Sequence, residues 1–159
     1  MIAILPQSSR TLVTILKPDD VYQRLSTATT NHLLMQNKVV SQRVAFVGTV
    51  QPELFHISLK VTRPNSFIPL VKGRVEPTPS GCLIFMKSFL FPSTRTYLVF
   101  WLLFVLVAGT IVSRQYASPL ALAAPLILDL IILWISWANF RMQLRLTMKV
   151  LDDVLNDQN

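Results

Sequence analysis

The sequence predicts an α+β membrane protein: a small antiparallel sheet domain with a covering helix, a two-helix transmembrane hairpin and a C-terminal amphipathic helix. Three observations carry that expectation. Residues 97–138 form an apolar block of 42 residues with only two charges, Arg114 and Asp129. Before it, apolar and polar residues alternate at the period of strands. After it, apolar residues return at helical spacing.

The opening MIAILPQSSR does not read as a signal peptide, because it lacks a basic start and Pro6 ends its apolar run. The β-rich run RTLVTIL at 10–16 predicts a first strand. Lys17-Pro18 breaks it, and Asp19 or Asp20 can cap a helix over 20–35. There Val21, Leu25, Ala28 and His32 recur at helical spacing, with Leu33 and Met35 nearby. TATT has weak helix propensity, so this helix depends on packing its apolar face.

Strands follow. In RVAFVGTV (43–50), Val44, Phe46 and Val50 share a face, and Gly48 is a candidate bulge. The next run puts Phe55, Ile57, Leu59 and Val61 on one face and His56, Ser58, Lys60 and Thr62 on the other, the pattern of a half-buried antiparallel strand. IPLVKGRVEP and CLIFMKSFLF, joined by the turn PTPSG at 77–81, read as a hairpin.

As one helix, the apolar block would span roughly 63 Å at ~1.5 Å per residue, about twice a hydrocarbon core. The polar interruption SRQYASP divides it into crossings over about 97–113 and 119–138. The chain thus reads as a 1–92 domain, a 93–138 hairpin and a 139–159 tail. In the tail Phe140, Leu144, Met148, Leu151 and Leu155 form one stripe and Arg141, Arg145 and Lys149 another. Asp152, Asp153 and Asp157 oppose the helix dipole. The tail's balanced charge favours docking on the sheet over lying on the bilayer.

The net charge of +7 belongs to residues 1–96, where eleven Lys/Arg stand against four Asp/Glu. Lys87, Arg95, Arg141, Arg145 and Lys149 flank the hairpin's ends, and its turn holds only Arg114. That bias predicts both termini in the cytoplasm, with Trp101, Trp134 and Trp137 at one interface and Tyr116 at the other. The basic domain then lies against an anionic leaflet, at roughly 1 kcal/mol per close cation. Dispersed cations without a recognition motif do not indicate nucleic acid.

The phrases Phe46-Val47-Gly48-Thr49-Val50, Phe55-His56-Ile57, Asn65-Ser66-Phe67-Ile68-Pro69 and Gly73-Arg74-Val75-Glu76-Pro77, followed by two membrane helices, resemble a group of small uncharacterised bacterial membrane proteins. The likeness covers about residues 43–110, implies a bacterial inner-membrane location and brings no activity with it. The element order is also similar to the START-like helix-grip domains that carry apolar ligands, although this chain inserts a membrane hairpin before the last helix.

No catalytic constellation or cofactor motif emerges. His32, His56 and Cys82 are too far apart for a close-spaced ligand pair. There is no G-x-S-x-G, and glycines 48, 73, 81 and 109 form no phosphate loop. A single cysteine excludes an internal disulfide and fits a reducing compartment. The expected role is a non-enzymatic accessory or assembly protein that binds a larger membrane complex. One alternative is a lipid or apolar-ligand module whose concave sheet is lined by Phe46, Phe55, Ile57, Leu59 and Phe85. The other is a homo-oligomeric channel or transporter.

Two places are candidates for partner contact. Asn65-Ser66-Phe67 is either a local turn, with Asn65 bonding backbone and Phe67 plugging the core edge, or an exposed contact loop. In the second crossing, Asp129 at mid-helix costs roughly 2.5–3.5 kcal/mol. The ten Leu and Ile from Leu120 to Ile135 offset this by about 3 to 6 kcal/mol, so insertion alone does not require a partner. Asp129 either bonds a carbonyl in its own helix, that of Ala121 being freed by Pro125, or joins Pro125 and Ser136 in meeting another subunit.

Overall fold

A computed structural model describes residues 5–30, 44–61, 65–116 and 119–156, with backbone alone at 116 and 119–122. The elements run β1 (Gln7–Thr14), α1 (Pro18–Ala28), β2 (Thr29–Thr30), β3 (Phe46–Gln51), β4 (Leu54–Leu59), β5 (Pro69–Thr78), β6 (Gly81–Leu90), α2 (Pro92–Tyr116) and α3 (Pro119–Asn156). The strands form one six-stranded sheet in the order β1-β6-β5-β4-β3-β2. His32, Leu33, Met35, Thr62 and Asp157 lie outside the described residues.

The alternation read in the sequence sorts the two faces of the sheet. Phe55 and Ile57 of β4, Val71 and Val75 of β5, and Cys82, Ile84 and Met86 of β6 are buried on one face. Val21, Leu25 and Ala28 of α1 cover that face, as their spacing predicts. Met148, Leu151 and Leu155 of α3 complete the cluster, so the tail does dock on the sheet. Arg24 clamps the arrangement, its guanidinium donating to the Leu155 carbonyl at 2.6 Å, where a helix C-terminus leaves acceptors open.

Several expectations need correction. The sheet is mixed, because β2 pairs parallel to β3 through Thr29 and Phe46. Helix α1 stops at Ala28 instead of continuing to 35, and the TATT segment turns into strand at Thr29. Its N-cap is Lys17, with Pro18 opening the first turn, so Asp19 and Asp20 sit inside that turn and favour the dipole without capping it. Gly48 is no bulge: the register passes unbroken from Val47↔Ser58 through Gly48↔Ile57 to Thr49↔His56. Its φ of +156° and a Cβ position filled by the His56 carbonyl explain the glycine. Phe85 lies on the face opposite the core and is 40% exposed.

The largest difference is continuity. The second crossing and the amphipathic tail are one helix of 38 residues. Nothing between 138 and 140 breaks it, because WANF holds neither glycine nor proline. Helices α2 and α3 are long and apolar enough to cross a membrane, with mean hydropathies of 2.2 and 1.7. Only 11% of each such window is buried, whereas the core helix of a water-soluble domain would be mostly covered. Tyr97, Phe100, Trp101 and Phe104 pack edge-on and stacked near the start of α2, as in an interfacial aromatic belt. A second cluster of Leu90, Leu98 and Phe140, with Phe67 and Ile132 against it, joins sheet to hairpin.

Candidate functional site

Pro125, Asp129 and Ser136 recur along one stripe of α3, and at Pro125 that stripe meets α2. Gly109 of α2 meets the Pro125 ring, which occupies the place a Cβ would take. Ser136 is buried and donates to the Ile132 carbonyl at 2.8 Å. Asp129 is half-buried. Its Oδ1 is shielded from solvent and has no hydrogen-bond partner among the described residues. Thr110, the residue after Gly109 on α2, donates its hydroxyl to its own helix at Val107.

Asn65 and Phe67 form a local turn. The Asn65 carboxamide oxygen accepts the Phe67 amide at 2.9 Å, and Phe67 packs on the sheet–hairpin cluster. The Thr94 hydroxyl donates to the Ser66 carbonyl at 3.0 Å, tying the turn to the start of α2.

The five flanking cations separate. Lys87 is exposed on the sheet face away from the helices, beside Lys72 in the paired strand. Arg141 stacks on Trp137 with 5.4 Å to the ring centroid. Arg145 and Lys149 line a recess shared with Arg10, Asp152 and Asp153, where Arg10 and Asp152 approach to 3.6 Å. Arg95 sits in the first turns of α2.

Phe46, Phe55 and Ile57 are buried under α1 and α3, so the sheet face they share is a packed core. A different recess opens on the other face, between His56, Ser58 and Lys60 of the β4 segment and Ser93 and Thr94 of α2. The alternation at 56–60 marked those side chains as outward-facing. Their meeting with residues more than thirty positions later depends on the path of the β5–β6 hairpin, which spacing does not encode.

Burial, reinforced by the Lys72 charge, lowers the His56 pKa below the usual 6.5. The folded state therefore resists protonating this ring. The stability linked to His56 is present above pH 6.5 and is lost as pH falls through the depressed value. The full chain in micelles is expected to melt progressively lower across that window, and His56→Gln to flatten the dependence. An unchanged pH profile in the variant would assign the effect to other groups.

No protein-family model, curated protein or solved structure matches this chain.

Proposed function

We propose that this chain is a non-enzymatic, membrane-anchored accessory or assembly protein, both termini cytoplasmic, that engages a larger membrane complex through its bare sheet face. One observation supports the reading. The face turned away from α1 and α3 combines Lys72, Arg74 and Lys87 with exposed Val13, Leu54 and Phe85. Glu76, 3.5 Å from Arg74, is the acid among the described strand residues of that face. Apolar side chains supply area to bury and the cations steer an acidic partner, so the face fits an acidic cytosolic segment of a membrane neighbour. The continuous α3 would hold this face at a fixed height above the bilayer.

Phe85 and Lys87 point away from the core, so Phe85→Ser with Lys87→Glu tests the face without emptying the interior. In mild detergent, the wild-type chain is expected to migrate on native gels well above its own 18.0 kDa plus micelle, and the double variant to fall to that size. Identical migration of the two proteins would reject the reading. Labelling of Ser9→Cys from outside intact cells, in a Cys82→Ser background, would reject the topology.

A further inference from the structure

At the rim where the sheet meets the hairpin, β3, β4 and β5 frame an open groove of about 640 Å³, bounded at one end by Phe91, Ser93 and Thr94. That size is within the roughly 300–1,000 Å³ of small-molecule sites. Its lining is graded. Val61, Ile68 and Phe91 are apolar, whereas Ser58, Lys60 and the first turn of α2 are polar or cationic. Ser58 is only 8% exposed and lines the groove.

The helix start adds donors. The Arg95 amide makes the first helical bond, to the Phe91 carbonyl at 2.9 Å. The Ser93 and Thr94 amides therefore precede the ladder, and no acidic residue occupies that first turn. The Thr94 hydroxyl is engaged by Ser66, which fixes the groove's edge.

Position selects the occupant. The apolar run of α2 begins at Tyr97, about one turn beyond Ser93 and Thr94, so the groove lies at the depth of lipid phosphates. We propose that it holds one anionic phospholipid of the adjoining leaflet. The phosphate sits among Lys60, Ser58 and the amides of Ser93 and Thr94. The glycerol and first acyl carbons lie against Val61 and Phe91 and lead into the bilayer. The groove lies on the same sheet face as Phe85 and Lys87, at the end of that face beside the hairpin.

Native mass spectrometry of the full chain, released from micelles containing equal zwitterionic and anionic phospholipid, tests the proposal. One anionic lipid is expected to remain on each wild-type chain. Lys60→Glu should reduce that retention about tenfold, the scale of one lost charge-assisted hydrogen bond. Thr49 is exposed on the groove wall, so Thr49→Trp fills the space without touching the core and should reduce retention similarly. Equal retention of both lipids by the wild type, or undiminished anionic lipid on Thr49→Trp, would overturn the proposal.

Discussion

Replacing Phe55 by alanine is expected to destabilise the full chain by about 3–5 kcal/mol, and Gly73→Ala by about 1–3 kcal/mol. The double variant should lose measurably less than the two losses combined. Phe55 is 1% exposed and pairs directly with Gly73 across β4 and β5. The Phe55 ring fills the volume where a Cβ on residue 73 would stand. A glycine inside a strand weakens it, so this one is explained by what it admits. Removing the ring opens a cavity that the alanine methyl partly refills, which makes the two changes non-additive. Chaotrope unfolding of the three variants in micelles measures the cycle. Strict additivity would show that the ring and residue 73 do not compete for the same space.

The elements that could be read from the sequence are those whose pattern is local. The 56–60 alternation, the turn before Gly81 and the Val21, Leu25 and Ala28 spacing each encode their own structure and reappear in it. The tail stripe was also legible, because Leu151 and Leu155 need a covering surface and the sheet is the nearest one. What escaped depends on distant segments. The parallel pairing of β2 with β3 follows from a chain path that no short pattern specifies. The unbroken α3 was hidden because a change from lipid-facing to amphipathic composition resembles a boundary, although the backbone has no reason to stop there. The groove beside Lys60 joins residues from β3 to α2 and had no motif at all. Asp129 was conspicuous as an acid among leucines, whereas the fit of Gly109 against Pro125, one turn earlier on α3, left no local signal.

Asp129→Leu is expected to move two measurements in opposite directions. Oδ1 of Asp129 is occluded without a partner among the described residues, and an unmet buried acceptor costs about 1–3 kcal/mol. Removing it should make the isolated chain in micelles more resistant to unfolding by about that amount. If the chain belongs to the membrane complex proposed above, the same change should dissociate it, because an acceptor unmet in the hairpin is available to a donor on a partner helix lying across α2 and α3. Asp129→Asn retains a hydrogen-bonding group of the same shape and should keep the complex. The pair of assays separates the roles. A less stable isolated chain would place the partner of Asp129 within its own hairpin, whereas unchanged native migration of Asp129→Leu would exclude an intersubunit role. Stabilisation of the chain together with loss of the complex is the outcome that an acceptor held for another subunit demands.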